Sequence, residues 1–321
     1  MTTAPATLPM LLEELEVRAV ERLSPSFVRV HLGSSALAEF GVDGPLYDQR
    51  IKLVFPGTEG FEGIRAAREQ AAVDEGWMAQ WYGRPEEERG YMRTYTVREV
   101  LGEGEDTRLV VDFVLHTDGA HGPGGDWAET AQTGDRVVVL APRRGFPFGG
   151  IEFAPGEATS LLLVGDETAL PAIARILEDL PDDARGAAFV EVPVADDEQQ
   201  LRRPAGVSLT WVAREGRPRG ADLSTAVLDH LGAHADAEQV LAVAEEEIDP
   251  DLWETPVYSS SGEEVDAPVV TVGHEYDGLY AWIAGESKVV TGMRRALVKD
   301  LGIDRHQVAF MGYWRVGVSM R

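Results

Sequence analysis

The sequence predicts two domains: an N-terminal six-stranded antiparallel β-barrel, residues 10–153, and a C-terminal α/β domain with an open sheet, residues 154–321. Two observations support this division. Before residue 153, apolar and polar residues alternate in short segments, as in strands with one buried face. After Pro155, apolar strands alternate with segments of helical spacing, which is typical of βαβ units. A chain of 321 residues that is 44% hydrophobic is long enough to bury two such cores.

The predicted barrel strands share a strand-forming composition and a period of two. They are residues 15–20, 27–32, 51–55, the segment around Arg93, 109–116 and 135–140. Six such strands fit a small closed barrel. Residues 56–90 are rich in Glu, Ala and Gly, and they interrupt the series as an insertion in which residues 64–70 are predicted to be helical.

The second domain is predicted from strand and helix segments in alternation. The strands are residues 161–164, 187–192, 209–213, 240–244, 280–284 and 307–311, and the helices are residues 169–177, 223–231 and 288–301. The acidic stretch 245–254 and the loop 259–266 are interpreted as surface excursions.

Composition argues against several functional classes. A net charge of -26 repels nucleic acid and anionic membrane surfaces, so neither is expected as a partner. The absence of cysteine excludes disulfides, thiolate catalysis and iron–sulfur clusters, so redox chemistry requires a bound cofactor. No apolar run approaches the length of a membrane span, and the first residues lack a secretory signal. We therefore expect a cytoplasmic protein, and a monomer.

The most informative motif is Arg93-Thr94-Tyr95-Thr96, in a predicted barrel strand. An arginine guanidinium binds pyrophosphate, a tyrosine ring packs on a flat heterocycle, and a threonine hydroxyl can bond to a redox-active ring nitrogen. Because a flavin dinucleotide requires these groups, the motif indicates a flavin site. The same residues have strong strand propensity, so an ordinary strand is the alternative.

Two glycine-containing turns lie where phosphates or nucleotides commonly bind. Gly122, Gly124 and Gly125 precede Trp127, and their small size lets backbone N–H groups at a helix start approach a pyrophosphate. Residues 165–169, Gly-Asp-Glu-Thr-Ala, follow an apolar strand and open a helix, the position at which open α/β sheets bind ligands. A capped helix after a core strand is the alternative for this second turn.

Six elements in one order, spread over nearly the whole chain, resemble the siderophore-interacting protein family. They are residues 93–96, 112–116, 122–123 with 127–128, 165–171, 285–286 and 312–317. Members of this family are FAD-dependent reductases of ferric siderophores with a ferredoxin-reductase-like architecture. The resemblance implies bound FAD, NADPH or NADH as electron donor with a ferredoxin as a further possibility, and a ferric siderophore as substrate.

The resemblance also implies where FAD is held. Tyr95 and Thr96 would position the flavin, with no residue acting as a general acid or base. The residues implied to contact FAD are Arg93, Thr94, Tyr95, Thr96, Asp112, Val114, His116, Gly122, Gly124, Gly125, Trp127, Thr168, Ala169, Tyr313 and Trp314. Taken without the resemblance, Asp112 and His116 would face the same side of one strand as an ordinary hydrogen-bonded pair.

The chain departs from the family pattern just before Trp127. Gly124, Gly125 and Asp126 stand where a small residue, a serine and often a basic residue are expected. A hydroxyl contact to phosphate is thereby missing, and Asp126 would repel a pyrophosphate unless it points to solvent or caps the helix. Weaker retention of FAD is the expected consequence.

Ferric siderophores are frequently anionic, so an acidic chain needs local positive charge where they bind. The candidates are Lys52, Arg143, Arg144 and Arg315. Lys52 interrupts an apolar strand, and Arg315 lies in the terminal motif. The Arg143-Arg144 pair is better interpreted as a solvated turn or a phosphate contact. No metal site of the protein is needed, because the chelator holds the iron.

Three alternatives remain open from the sequence. The same fold could serve as a noncatalytic siderophore carrier, or as a flavin reductase of another acceptor. A zinc site using His230 and His234 is the third, because four-residue spacing places both on one helix face. A third ligand is missing, and His274-Glu275 is not followed by metalloprotease spacing, so a solvated helix face is the preferred interpretation.

Overall fold

The computed structural model describes residues 8–71, 76–115, 122–233, 240–248, 252–256, 258–259 and 276–318. The chain divides into two compact units, the first ending at Ile151 and the second beginning at Glu152.

The first unit is built on a curled antiparallel sheet of seven strands. The strands are β1 (Met10–Ser24), β2 (Phe27–Gly33), β3 (Arg50–Phe55), β4 (Tyr91–Thr96), β5 (Glu99–Leu101), β6 (Arg108–Val114) and β7 (Arg136–Pro142). Their order is β4-β3-β7-β1-β2-β6-β5, so β4 and β5 form the two ends of the sheet. The predicted antiparallel β architecture is confirmed, with one strand more than predicted. The additional strand, β5, has only three residues, which is too short for its periodicity to be recognised.

Alternation along the strands sorts the side chains between two faces of this sheet. The inner face carries a continuous apolar core with members from β1, β2, β3, β6 and β7. A second cluster on the outer face includes Val54, Met92 and Val138. The inserted helices α1 (Glu62–Ala71), α2 (Trp77–Tyr82) and α3 (Glu86–Arg89) belong to the predicted insertion, and Ile64, Trp77 and Trp81 pack into this outer cluster. A further helix, α4 (Pro123–Thr130), follows β6.

The second unit is a mixed sheet with helices between its strands. Its elements are β8 (Ser160–Gly165), α5 (Leu170–Asp179), β9 (Gly186–Val192), β10 (Val207–Ala213), α6 (Ala221–His230), β11 (Trp253–Thr255), β12 (Tyr258–Ser259), β13 (Leu279–Glu286), α7 (Ser287–Arg294) with a π-helical continuation (Arg295–Asp300), and β14 (Val308–Trp314). The order is β10-β9-β8-β13-β14-β11-β12. The first five are parallel, and β11 and β12 add antiparallel strands.

The strand order places a switch point at the carboxyl ends of β8 and β13. The chain leaves β8 toward β9 and β10 on one side, and it leaves β13 toward β14 on the other. Helices α5 and α7 therefore begin beside the same crevice, where open α/β sheets bind their ligands. The predicted alternation of strands and helices in this unit is confirmed.

Two sequence interpretations of the second unit are wrong. Residues 240–244 were predicted as a strand but lie outside the sheet. Val240 is buried, and a Cβ on Gly292 of α7 would collide with its carbonyl oxygen, so packing against α7 explains its apolar character. The acidic stretch 245–254 is not wholly a surface excursion, since Glu254 is a buried residue of β11 whose carboxylate accepts two hydrogen bonds from Arg294.

Candidate functional site

The motif residues 93–96 lie on β4, at one end of the sheet. Arg93 and Tyr95 are paired with Leu53 and Ile51 of β3 and share the inner face with them, whereas Thr94 and Thr96 project to the other face. A terminal strand has one backbone edge without a neighbouring strand. A ligand along that edge is therefore within reach of side chains from both faces of β4.

Tyr95 belongs to an aromatic cluster with Phe55, Phe113 and Trp127. The ring centroid of Tyr95 lies 4.5 Å from that of Phe113 and 6.0 Å from that of Phe55. The Trp127 ring lies 5.2 Å from Phe55 and 5.7 Å from Phe113. Burial raises the pKa of the Tyr95 phenol, against the opposing charge of Arg93, so the hydroxyl stays protonated. The four rings hold Tyr95 in one orientation, as a flat platform requires.

The first turn of α4 packs directly on this aromatic cluster. A Cβ on Gly124 would overlap the Tyr95 hydroxyl and lie 3.1 Å from Phe55 Cε2, and a Cβ on Gly125 would lie 3.2 Å from the Val114 carbonyl oxygen. Glycine is thus the residue that lets this turn approach Tyr95 closely. Gly122 is the N-cap residue of α4 and provides no side-chain cap. The first N–H groups of the helix and its dipole are therefore available to an anion at this end.

Asp126 and Trp127 follow in the same helix. Asp126 is exposed. The structure therefore matches the case in which its carboxylate points to solvent, and its repulsion of a bound phosphate is screened. Trp127 is half-buried against the aromatic cluster.

Arg93 is held by the insertion. Its Nη1 lies 3.2 Å from Glu86 Oε1 of α3 and donates to the Met92 carbonyl at 2.8 Å. Its side chain is 16% exposed, so part of the guanidinium still meets solvent. Glu86 fixes the arginine in place, but it also puts a negative charge beside any phosphate that Arg93 binds.

Lys52 and Thr94 share a rung on the outer face of the sheet. Lys52 Nζ donates to Thr94 Oγ1 at 3.0 Å. Burial, and then the charge of Arg50, lower the pKa of Lys52. Lys52 lies on β3, next to the terminal strand β4. Its side chain projects from the face of the sheet opposite to that of Tyr95.

Asp112 and Val114 point to the outer face of β6, away from Phe113. Asp112 is buried, and both of its oxygens are bound by Arg29, at 2.7 and 2.8 Å, with Arg98 Nε 3.9 Å away. This ion pair is sufficient to explain the carboxylate at this position, and it does not join the aromatic cluster. Val114 meets the first turn of α4 through its backbone carbonyl. His116 lies outside the described residues.

Arg143 and Arg144 are anchored within the first unit. Arg143 pairs with Glu39 and donates to the Met10 carbonyl, and Arg144 Nη2 donates to the Phe40 carbonyl at 3.1 Å. The pair therefore fastens the turn after β7 to the segment around Phe40. This placement is that of a turn, and a substrate contact of the pair stays a prediction.

In the second unit, Asp166 joins three elements at the end of β8. Its Oδ1 accepts from the Thr168 N–H at 2.9 Å and from Thr168 Oγ1 at 2.6 Å. Its Oδ2 accepts from the Glu286 N–H and from Trp314 Nε1, each at 2.8 Å. Burial and the neighbouring Glu167 raise the pKa of Asp166, and its hydrogen bonds oppose this rise.

Asp166 closes the turn at residues 165–169, and α5 follows at Leu170 without a side-chain cap. The N–H groups of Ala169 and Leu170 bond to the Asp166 carbonyl, and that of Thr168 bonds to its carboxylate. A Cβ on Gly165 would collide with Ala169, so glycine is required for the close approach of α5 to β8. Its hydrogen bonds are those of a turn between a core strand and a helix, and the flavin contacts of Thr168 and Ala169 stay predictions.

Next to Asp166 lies a buried network of four charged side chains: Glu167, Glu191, Arg214 and Arg219. Arg214 binds both oxygens of Glu167 at 2.7 and 3.0 Å and reaches Glu191 at 3.1 Å. Arg219 binds Glu167 at 2.6 Å. Burial acts to raise the pKa of Glu167, but the two arginines outweigh it and hold that pKa below its ordinary value.

Glu191 has the opposite shift. Burial, assisted by the charge of Asp166, raises its pKa to about 7, although Arg214 and the Gly220 N–H favour the ionised form. Arg219 also lies over the ring of Trp314, with 4.5 Å between Cζ and the centroid. Asp166, Glu191 and Arg219 line a small crevice at the switch point together with Glu286.

The terminal motif lies on β14 and the residues after it. Tyr313 stacks on Trp253, with centroids 5.9 Å apart, and meets the edge of Trp282. Trp314 is held by Asp166 and Arg219, and Arg315 follows directly, half-buried. The structure therefore ties the turn of Thr168 and the terminal motif together within one unit.

No group of three or more His, Asp or Glu residues that could hold a metal ion occurs among the described residues. His230 lies at the end of α6 with its ring against Phe189, and His234 is outside the described residues. In the part of the chain that the structure describes, no helix is long and apolar enough to cross a membrane.

Sequence reasoning missed Phe55, Phe113 and the charged network. The two phenylalanines look like ordinary core residues, and only their contact with Tyr95 gives them a role. Arg214 and Arg219 lie on a loop far along the chain from Glu167, so no local spacing connects them. A buried-looking glutamate at the end of the second parallel strand, Glu191, was the one available signal.

Comparison with known proteins assigns both units. Residues 16–146 match the siderophore-interacting FAD-binding domain, and residues 158–317 match the siderophore-interacting protein family. An uncharacterized protein of Mycobacterium tuberculosis is 34% identical, over 95% of this chain and 91% of its own length. The chain belongs to the siderophore-interacting protein family.

Other relatives carry functional names. The ferric vibriobactin reductase ViuB of Vibrio cholerae is 28% identical over 96% of this chain and 90% of its own. The NADPH-dependent ferric-chelate reductase of Escherichia coli is 29% identical over 94% and 92%. Among solved structures, a siderophore utilization protein from T. fusca superposes with a TM-score of 0.63 at 30% identity, covering 98% of this chain and 96% of that one. A ferredoxin NADP+ reductase from Neisseria gonorrhoeae shares the fold alone, with a TM-score of 0.51 at 13% identity.

The first unit of this siderophore-interacting protein fits FAD. Its aromatic cluster presents Tyr95 beside a helix start whose Gly124 leaves no side chain between them, and Arg93 lies on the same face of β4. A ring platform, an uncapped helix start and a guanidinium are the donor set that a flavin and its pyrophosphate require.

Proposed function

We propose that this chain is a flavoprotein oxidoreductase that reduces ferric siderophores with electrons from NAD(P)H and releases Fe(II) in the cytoplasm. The observation that carries the proposal is the close packing of Tyr95 on Gly124 at the uncapped start of α4, within a siderophore-interacting FAD-binding domain. The names of the Vibrio cholerae and Escherichia coli relatives support ferric chelates as the acceptor class.

The proposed FAD contacts divide the work among a few side chains. Tyr95 packs against the isoalloxazine ring, and Thr96 donates its hydroxyl from the other face of β4. Arg93 and the N–H groups of Gly124 and Gly125 bind the pyrophosphate. FAD held there would supply hydride acceptance from a nicotinamide and single-electron transfer to iron, so one NAD(P)H would suffice for two ferric ions.

The donor is proposed to be NADPH or NADH, with a ferredoxin as the alternative. The name of the Escherichia coli relative supports a nicotinamide. The N–H groups of residues 168–170 already bond to Asp166, so they do not form a phosphate site. The turn at residues 165–169 therefore does not distinguish between the donors.

Lys52 and Arg315 are proposed to attract the anionic chelate. Lys52 Nζ bonds to Thr94 of β4, the strand of the proposed flavin contacts, and Arg315 directly follows Trp314, whose indole is bonded to Asp166. Oxygen ligands hold Fe(III) more tightly than Fe(II), so reduction weakens the chelate and frees the metal ion. No acid or base is needed at the iron, and the protein is proposed to act as a monomer.

The test is an anaerobic absorbance titration of the purified, FAD-loaded protein with NADPH and, separately, NADH. A ferric hydroxamate and a ferric catecholate siderophore are then added with an Fe(II) indicator present. Bleaching of the flavin bands, followed by their recovery with Fe(II) release, is the expected result, and the faster nucleotide is the donor. Protein that binds the chelate but no flavin would establish the carrier function instead. Flavin that neither nucleotide reduces would favour a ferredoxin.

A further inference from the structure

Three contacts within the second unit hold Trp314: one at its indole N–H, one at its ring face and one at its backbone carbonyl. Its indole Nε1 donates to Asp166 Oδ2 at 2.8 Å, Arg219 lies over its ring at 4.5 Å, and its carbonyl accepts from Ser287 Oγ at 2.9 Å. One residue further past Arg315, the Val316 N–H lies 3.3 Å from Glu286 Oε1. The backbone is therefore fixed on both sides of Arg315. We call these contacts the Trp314 clamp.

The two charged residues that contact the Trp314 indole, Asp166 and Arg219, are themselves held in place. Asp166 is fixed by the start of α5 through Thr168 and by the backbone N–H of Glu286, so its carboxylate cannot turn away from the indole without losing three other hydrogen bonds. A carboxylate held by this many donors is a fixed acceptor.

Arg219 is oriented by Glu167. Its Nη1 bonds to Glu167 Oε1 at 2.6 Å, and Glu167 is fully buried and bound at both oxygens by Arg214. A guanidinium that is paired on one side presents its planar face elsewhere, and here that face covers Trp314. The buried network therefore ends at the terminal motif.

Fixing the backbone around Arg315 has a consequence for binding. A long cationic side chain on a mobile segment loses conformational freedom when it captures an anion, and a segment that is already ordered loses less. The clamp orders the backbone that carries Arg315, so less backbone freedom is lost when this side chain binds an anion.

We propose that Arg219 and Asp166 are positioning residues that hold Trp314 so that Arg315 is presented to an anionic ferric chelate. This inference rests on the proposed function of the chain. It adds that affinity for the chelate depends on a charge network in the second unit that contacts neither iron nor flavin.

The kinetic test compares Arg219→Gln, Arg219→Lys and the matched control Arg217→Gln. Arg217 is on the same loop, is exposed, pairs with Asp222 and donates to the backbone carbonyls of Ala213 and Arg214, so its variant removes the same charge while the side-chain contacts of Arg219 and Asp166 with Trp314 remain. Each protein is assayed with a saturating nicotinamide donor and two acceptors: ferric dicitrate, which is anionic, and menadione, which is uncharged.

Arg219→Gln should raise the KM for ferric dicitrate about tenfold, while kcat, menadione reduction and FAD content stay at the level of the unsubstituted protein. Arg219→Lys keeps the cation over the ring and should restore KM to within about twofold. Arg217→Gln should leave KM unchanged. An equal KM rise in Arg217→Gln would indicate a general charge effect, and an unchanged KM in Arg219→Gln would remove the positioning role. Parallel loss of menadione reduction or of FAD would show a merely structural role and would also overturn the proposal.

A spectroscopic readout tests the clamp apart from catalysis. The chain has 7 tryptophans, so its indole N–H region in a ¹H–¹⁵N spectrum is simple, and Trp314→Phe assigns the signal of Trp314. Arg219→Gln should shift that signal and leave the signals of Trp77 and Trp127 in place. An unmoved Trp314 signal would contradict the clamp. If the unsubstituted protein reduces no ferric chelate at all, the proposed function fails together with the substrate role of Arg315, while the indole spectrum still decides whether Arg219 holds Trp314.

Discussion

Glu191 gives a prediction in which two neighbouring glutamates respond oppositely to the same substitution. Both Glu167 and Glu191 are 1% exposed, and both bind Arg214. Glu167 has two arginine partners and a lowered pKa, whereas burial raises the pKa of Glu191 to about 7. Glu191→Gln therefore removes a carboxylate that is costly to ionise, and Glu167→Gln removes one that two arginines require.

The sign follows from where the protons are. Between its ordinary value of 4.5 and about 7, Glu191 keeps its proton in the folded chain and loses it in the unfolded chain. The unfolding free energy therefore falls as pH rises through this window. At about 1.4 kcal/mol per pH unit, the contribution of this group falls by about 2.5 kcal/mol between pH 5 and pH 8. The Gln variant lacks this titration. The difference in unfolding free energy, variant minus unsubstituted protein, should therefore rise by about 2.5 kcal/mol from pH 5 to pH 8.

The assay is urea unfolding at pH 5, 6, 7 and 8, followed by the indole signals of Trp282 and Trp314 in the second unit. Glu167→Gln is the control, and it should lose about 3 kcal/mol at pH 8 because Arg214 and Arg219 are left without their buried partner. Parallel curves of unfolding free energy against pH for Glu191→Gln and the unsubstituted protein would refute the reasoning. The same sign of change for both variants at pH 8 would also refute it.

Three further predictions concern the proposed flavin and substrate sites. Gly124→Ala should lower FAD affinity at least about tenfold and destabilise the first unit by about 1–3 kcal/mol, because its Cβ would overlap the Tyr95 hydroxyl; flavin titration and thermal unfolding check this, and full FAD content would contradict it. Arg93→Ala should weaken FAD binding about tenfold and reduce its salt dependence, as read from flavin fluorescence at two ionic strengths. Lys52→Ala and Arg315→Ala should each raise the KM for a ferric siderophore with FAD affinity unchanged, and unchanged steady-state kinetics in both would remove them from the substrate site.

The fold was predictable from sequence where apolar residues recur regularly along a strand or helix. The antiparallel strands of the first unit and the βαβ order of the second follow from alternation and from apolar runs between helices. The errors fall where length or packing hides the pattern. The three residues of β5 are too few to show a period, and Val240 is apolar because it packs on α7 rather than because it lies in a strand.

The candidate site was predictable to a different extent in the two units. Arg93 and Tyr95 were chosen for the chemistry of their side chains and Gly124 for its small size, and the structure brings Tyr95 and Gly124 together. The turn at residues 165–169 also stood out, and in the structure its Asp166 bonds to Thr168 within the turn and holds Trp314.

The sequence by itself determined the two-domain α/β and antiparallel β classes, the need for a bound cofactor in a chain without cysteine, and the family. These are local or compositional properties, so they are readable from periodicity, residue types and motif order. Only the tertiary structure decided that Glu167, Glu191, Arg214 and Arg219 share one buried network and that it ends at Trp314. The physical reason is that the interior makes a charge dependent on its partners, and Glu167 and Arg219 are 52 positions apart in the chain.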